Sequence, residues 1–393
     1  MGFIELLEKY KNGETNEDES KLVEEEIQKC EVISDYLAEK YDIKNLKLDV
    51  ANPTVDNTKS IKRTINRKLA QIVTISVGLV FAILFVINFI LSPIVSSIYY
   101  NPTNKTVGQK HHDDLYYDLK AITEVSFPGY QIQSANSESL GFGKYNIHFS
   151  RTDLFTKDLT SVNASIKKDI RVGTIEDFYP INIGVFTGLW SAEKDSKQYK
   201  EYSEFETNII KHLNSYIKEL PKTSYLSTYV LFENELSLKE FTEMAKKYGV
   251  EFQWVSFKTD EHINDKIMGF STEMNGTIAT DLANPKRYPA LQLPDASNLI
   301  PWSQNYYAEA YEMHALSLLK YLSERKNATK ALVGNGNKFD YNSAYEYVKK
   351  NGISIRGALI YSEIDSLIYF LENESIIEVY IDNILPSVYS RKK

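Results

Sequence analysis

Ser-x-x-Lys spacings such as Ser165–Lys168, Ser191–Lys194, Ser317–Lys320 and Ser323–Lys326 set a hydroxyl near an amine able to take its proton. That is the pairing of a penicillin-interacting nucleophile. Its Ser-Asp-Asn and Lys-Thr-Gly companions are absent, and a Lys- and Ser-rich chain yields such pairs by chance. His111-His112-Asp113-Asp114 offers metal-ligating side chains, but adjacent helical residues point to different faces, so a solvated helix start is expected there. Gly334-Asn335-Gly336-Asn337 lacks the preceding strand and the spacing of a nucleotide loop and reads as a surface turn. No Gly-x-Ser-x-Gly elbow, His-Glu-x-x-His pair or phosphate-cradling loop occurs. The chain is therefore expected not to be an enzyme and to carry no catalytic residue, metal or cofactor.

The elements around these residues indicate binding instead. The 393 residues are 43% hydrophobic, enough for two or three folded units. The net charge of -8 gives no general attraction to nucleic acid, so direct nucleic-acid binding is not expected. With Cys30 the single cysteine, no internal disulfide can form.

From Leu69 to Leu91 the chain runs 23 residues without a charge. As a helix this run reaches roughly 34 Å, against a bilayer core of about 30 Å. Lys59, Lys62, Arg63, Arg67 and Lys68 precede it, and the next basic residues are Lys105 and Lys110. The positive-inside rule then places the N-terminus in the cytoplasm. Pro93, Asn101 and Pro102 are expected to end the helix, with Tyr99 and Tyr100 at the outer interface and Gln71 and Asn88 reaching headgroups. Asn52-Pro53, Asp56, Asn57 and Thr58 mark a flexible tether on the inner side.

Residues 1–50 read as two amphipathic helices. Phe3, Leu6, Leu7 and Tyr10 share a face of the first, which Asn12-Gly13 stops. Asn16 can cap the second, where Val23, Ile27, Cys30, Leu37 and Tyr41 form a stripe widened by Leu22 and Ile33. Two helices this short cannot hide both stripes on each other, so a partner is implied. The net charge of -7 in this region lies between Glu14 and Asp35, with Glu24-Glu25-Glu26 at its middle, and suits a basic partner.

Beyond the apolar run, a helix near Asp113–Glu124, a turn at Pro128-Gly129 and alternating strands through Tyr145, Ile147, Phe149 and Val162, Ala164, Ile166 are expected. Then comes a repeat. Strand Ser227–Phe232, helix Ser237–Lys247 and strand Val250–Phe257 are matched by strand Ile355–Tyr361, helix Glu363–Leu371 and strand Ile376–Ile381. Two such units suggest a ferredoxin-like sandwich with an insertion at about 259–352. The insertion holds a helix, Gln304–Lys326, whose Tyr307, Tyr311, His314, Leu318 and Tyr321 stripe reads as core.

Certain runs resemble a known family. Leu6-Leu7-Glu8-Lys9-Tyr10-Lys11-Asn12-Gly13-Glu14, Glu19 and Val23-Glu24-Glu25-Glu26-Ile27-Gln28-Lys29-Cys30 resemble the N-terminal domain of anti-sigma factors. The zinc-binding branch of that family carries His-x-x-x-Cys-x-x-Cys, which falls here on Glu26, Cys30 and Ile33. One thiolate does not make a structural zinc site, and Cys30 reads as a small core residue. Leu220-Pro221-Lys222-Thr223-Ser224-Tyr225, Leu236-Ser237-Leu238-Lys239-Glu240-Phe241, Tyr288-Pro289 with Leu291-Gln292, Leu318-Leu319-Lys320-Tyr321-Leu322 and Tyr347-Val348-Lys349-Lys350-Asn351-Gly352-Ile353 resemble the sigma-factor-regulator C-terminal domain of Gram-positive bacteria.

The resemblance implies a membrane-anchored anti-sigma factor, a negative regulator that holds an extracytoplasmic-function sigma factor at the membrane and releases it on an envelope signal. Phe3, Leu6, Leu7, Tyr10, Val23, Ile27 and Leu37 would be its apolar anchors, and Glu24, Glu25 and Glu26 its acidic contacts. A second membrane regulator or a release protease would be further partners beside the lipid bilayer. The expected order is a sigma-binding domain (1–50), a basic tether (51–68), a transmembrane helix (69–91), an α+β subdomain (110–200) and a sigma-regulator domain (205–393). The competing reading is an extracytoplasmic binding module, hydrolase or envelope scaffold with a cytoplasmic docking hairpin.

Overall fold

The computed structural model describes residues 3–40, 55–108, 112–172, 197–260, 267–273, 284, 286–291, 293, 306–334 and 339–387. Tyr41, residues 51–54, His111, Trp190, much of 259–305 and residues 335–337 lie outside the described residues. The chain divides into two compact units, Met1–Ala82 and Ile83–Lys393.

The first unit begins with α1 (Phe3–Lys11) and α2 (Glu17–Lys40). Gly13, at φ +72°, takes the left-handed turn that ends α1, and the Glu14 N–H returns to the Lys9 carbonyl at 2.9 Å. Asn16 caps α2 reciprocally. The Glu19 N–H donates to Asn16 Oδ1 at 2.8 Å, and the Asn16 N–H donates to Glu19 Oε2 at 3.2 Å.

Among the described residues one helical run, Lys62–Ile98, is long and apolar enough to cross a membrane. It is built from α3 (Val55–Phe85), a π-helical turn (Val86–Leu91) and α4 (Ser92–Ile98). Two expectations are corrected here. Val55–Ser60, read as flexible tether, is already helical. Pro93 does not end the helix, because the wide turn before it absorbs the ring. The Ser92 N–H bonds five residues back to the Ile87 carbonyl, and the helix resumes to Ile98. Asn88 does not reach outward either; its Nδ2 donates to the Leu84 carbonyl at 2.8 Å.

The second unit combines helices with two antiparallel sheets. After α5 (Asp114–Ser126) comes a four-stranded meander, β1 (Tyr130–Gly141), β2 (Lys144–Asp153), β3 (Leu159–Lys167) and β4 (Ile170–Val172), each strand pairing with the next. Tyr145, Ile147 and Phe149 alternate inward along β2, as their period of two requires. Helix α6 (Lys197–Glu219) leads to β5 (Tyr225–Ser237), α7 (Leu238–Lys247), β6 (Glu251–Phe257) and β7 (Met268–Ser271). Then follow α8 (Tyr306–Glu324), α9 (Lys326–Val333), α10 (Tyr341–Asn351), β8 (Ser354–Glu363), α11 (Ile364–Asn373) and β9 (Ile376–Leu385).

The second sheet has the order β7-β6-β8-β5-β9. Its two strand-helix-strand units interleave, with β8 lying between β5 and β6 and all pairs antiparallel. Leu226 and Val230 join the main core with Phe241 of α7 and Phe370 of α11, while Tyr225 and Leu231 face the other way. That second face is covered by Leu154 and Phe155 from the β2–β3 loop. The main core runs continuously from α5 and the meander through the five-stranded sheet. Ser237 and Glu240 form a reciprocal capping box that sets the start of α7 directly after β5.

Candidate functional site

On the hairpin, α1 is nine residues long and α2 twenty-four. At 1.5 Å per residue α1 shields only about 13 Å of a helix about 36 Å long. Val23 is wholly buried, Leu6 and Tyr10 are half-buried, and Phe3, Leu7, Ile27 and Leu37 are exposed. Leu22, Val32, Ile33 and Tyr36 extend this uncovered apolar surface, each more than half exposed. Cys30, read as core, is exposed as well, because α1 ends short of it. Apolar area of this kind releases roughly 25 cal/mol per Å² when a partner covers it.

The three glutamates do not share one face, since consecutive helical residues are about 100° apart. Glu24 turns toward α1, where Tyr10 Oη donates to its Oε1 at 3.1 Å and is held above the ordinary tyrosine range by that carboxylate. Glu26 engages Lys29 within α2 and raises the lysine. Glu25 is exposed. With Glu31 it borders a shallow hollow that also includes Tyr10, Glu24 and Ile27. The hairpin thus presents apolar side chains beside carboxylates, a surface that fits a partner with basic and apolar groups.

In the second unit sequence reasoning missed a buried polar cluster. Asp114, expected in a solvated helix start, is wholly buried and accepts from the Thr106 N–H at 2.7 Å and the Val107 N–H at 3.0 Å. One turn on, Asp118 accepts from Tyr100 Oη at 2.8 Å, Tyr321 Oη at 2.6 Å and the Arg325 guanidinium. Burial, then the Asp118 charge, push both tyrosines well above their ordinary range. Tyr100, expected at the membrane interface, is therefore folded into the domain. His112-x-Asp114 and Asp118 at helical spacing carried a weak signal, but the partner Arg325 lies 207 residues away.

Of the Ser-x-x-Lys pairs, Ser191–Lys194 lies outside the described residues, Ser165 Oγ donates to Asn146 Oδ1 at 3.1 Å, and the other two serines bond the backbone. Ser317 Oγ accepts from the Ala290 N–H at 3.1 Å, and Ser323 Oγ donates to the Lys320 carbonyl at 2.8 Å. In the aromatic stripe of α8, Tyr311, His314, Leu318 and Tyr321 are buried, and burial pushes Tyr311 up to about 12.

Residues 217–383 match the family described as sigma factor regulator C-terminal. The matched stretch covers both strand-helix-strand units and the helices between them, and it supports a role in regulating a sigma factor. No curated protein and no solved structure matches the chain.

Proposed function

We propose that the chain is a membrane-anchored anti-sigma factor without enzymatic activity. The observation that carries this reading is the sigma-factor-regulator match over residues 217–383. Two features agree with it, an apolar helix able to cross a bilayer and, before it, an acidic hairpin with uncovered apolar side chains. In this reading residues 1–50 face the cytoplasm and hold an extracytoplasmic-function sigma factor, and the unit after the helix lies outside and responds to the envelope. The interleaved strand order β9-β5-β8-β6 supports reading this sheet as a ferredoxin-like sandwich with β7 added at one edge.

Sequestration follows from competition. A sigma factor whose basic and apolar surface is covered by Phe3, Leu7, Ile27 and Leu37 cannot offer that surface to polymerase or promoter. The test is capture of the full-length tagged chain from its own cells, with bound proteins identified by mass spectrometry. A sigma factor bound by the parent and lost from Leu7→Asp/Ile27→Asp is the expected result. Capture of no sigma factor by a parent chain that is present and membrane-bound would overturn the reading.

A further inference from the structure

The hairpin joining β1 to β2 turns in two residues, Phe142 and Gly143, between paired Gly141 and Lys144. Both central residues have positive φ, +54° and +69°. Such turns favour Asn or Gly, and an aromatic residue held in the left-handed region is an outlier that local chemistry must stabilise. Part of that chemistry is the end of the long apolar helix. The Phe142 N–H donates to Ser92 Oγ at 3.0 Å, and the Gly143 N–H donates to Ser96 Oγ at 3.3 Å.

The β3–β4 turn, Lys168-Asp169, also has positive φ at both residues and sits beside the first, with the Lys168 N–H donating to the Gly143 carbonyl at 2.8 Å. Lys168 Nζ lies 6.0 Å from the Tyr99 ring, and Asp169 accepts from the Tyr100 N–H at 2.6 Å. Two hairpin ends are thus fastened to the last turns of the helix. After Leu91 the unbroken apolar stretch gives way to Ser92, Pro93, Ser96 and Ser97, so in the membrane-spanning reading both turns lie near the level where the helix leaves the hydrocarbon.

The side chains at these turns suit that level. Leu140 is 53% exposed and Ile170 is 57% exposed, while Phe142 is half-buried. Lys144 stands opposite Lys167 across β2 and β3, both exposed. Like charges directly opposite destabilise a sheet unless a counter-charge lies between or above them. The nearest carboxylate along β1 is Glu138, set opposite Asn146. Exposed apolar residues beside lysines are the chemistry of a membrane-surface contact.

We propose that the β1–β2 tip and the β3–β4 turn form a foot in the headgroup layer of the leaflet where the helix emerges. Leu140 and Ile170 enter the acyl boundary, and Lys144 and Lys167 meet anionic headgroups. The proposal rests on the membrane-spanning reading given above, and its test separates the two. The full chain with Cys30→Ser is reconstituted in vesicles of phosphatidylcholine and phosphatidylglycerol containing a lipid with a nitroxide near the top of its acyl chain. A bimane label is placed in turn at Leu140→Cys, at Ile90→Cys within the helix and at Leu159→Cys. Leu159 begins β3, about 26 Å along the strand from Lys167.

An interfacial side chain lies roughly 5–10 Å into the headgroup and acyl boundary, so the Leu140 label is expected to be quenched as strongly as the Ile90 label. The Leu159 label should keep its emission. Adding Lys144→Glu and Lys167→Glu should reduce quenching at position 140 and leave that at position 90 unchanged. Quenching at position 90 without quenching at 140 overturns the foot and leaves the membrane helix standing; equal quenching at 140 and 159 also overturns it. Absence of quenching at all three positions overturns both readings.

Discussion

The Arg325 guanidinium holds Asp118 through two parallel hydrogen bonds, Nε to Oδ1 at 2.8 Å and Nη2 to Oδ2 at 2.7 Å, with the Asp118 side chain wholly buried. Although burial alone would lower the arginine, its bonds to Asp118 hold its pKa above the ordinary value. Because Tyr100 and Tyr321 donate to the same carboxylate, one buried group ties the segment after the apolar helix to α5, α8 and the start of α9.

Asp118→Asn presents an amide where four donors require acceptors, and Arg325→Met leaves a buried carboxylate without its cation. Each is expected to lower the stability of the second unit by about 3–5 kcal/mol. Thermal unfolding of the detergent-solubilised chain checks this, and an unchanged midpoint for either variant would show that the cluster contributes little.

Asp382 predicts a pH effect of known sign. Asp382 is exposed on β9, yet the protein around its carboxyl desolvates it enough to lift it above the ordinary range, with the Ser227 hydroxyl opposing and the Asp153 charge adding to the rise. The folded pKa therefore exceeds the unfolded value of about 3.9. Folding favours the protonated form, so this group supports the fold at low pH and works against it as pH climbs through the raised value. Asp382→Asn, which can still accept from Ser227 Oγ, should melt above the parent at pH near neutral. The advantage should shrink toward zero as the pH approaches about 4. A constant gap across this range would show that the carboxyl is not the cause.

Gly269 on β7 leaves no room for a side chain, since a Cβ there would collide with the Trp254 indole and the Val255 carbonyl. The carbonyl belongs to the paired strand and cannot rotate away. Gly269→Ala is expected to push β7 from the sheet edge and to cost about 1–3 kcal/mol. Faster hydrogen exchange confined to residues 268–271 and 254–257 would show it.

How far the sequence determines each of these features differs with the range of the forces involved. The two strand-helix-strand units were readable because β5, α7, β6 and β8, α11, β9 each show their own period, and Ser237 with Glu240 marks a helix start over four residues. β1 was not, since Tyr130–Gly141 is mostly polar and its alternation is interrupted by register shifts near Ile132 and Ser139. Asp114 and Asp118 carry charges that look solvated until Arg325 and Thr106 are brought to them by the fold. The same holds for Tyr100, which beside an apolar run looks interfacial and is in fact a donor to a buried carboxylate.

In the hairpin, Val23 and Ile27 lie one turn apart on the same stripe but differ in environment, wholly buried against 39% exposed. Val23→Asp places a carboxylate against α1 and should abolish protection from hydrogen exchange across residues 17–40. Ile27→Asp should leave that protection in place and remove sigma-factor capture. If both variants lose protection, Ile27 is a structural residue and not a partner contact.

Charge should govern the rate of capture more than its final strength. Nine carboxylates between Glu14 and Asp35 face two lysines, and most of them are exposed, so they act at a distance and are screened by salt. Replacing Glu25 and Glu31 with Gln removes two charges at the hollow around Ile27 without touching the Tyr10–Glu24 bond. Association with the captured sigma factor is expected to slow severalfold at low ionic strength, with a smaller change in the dissociation rate. At ionic strengths where the Debye length falls to about 3 Å, variant and parent should associate at the same rate. Biolayer interferometry of the full chain in nanodiscs measures both rates, and an equal slowing at every salt concentration would mean that the two carboxylates act by contact instead of by field.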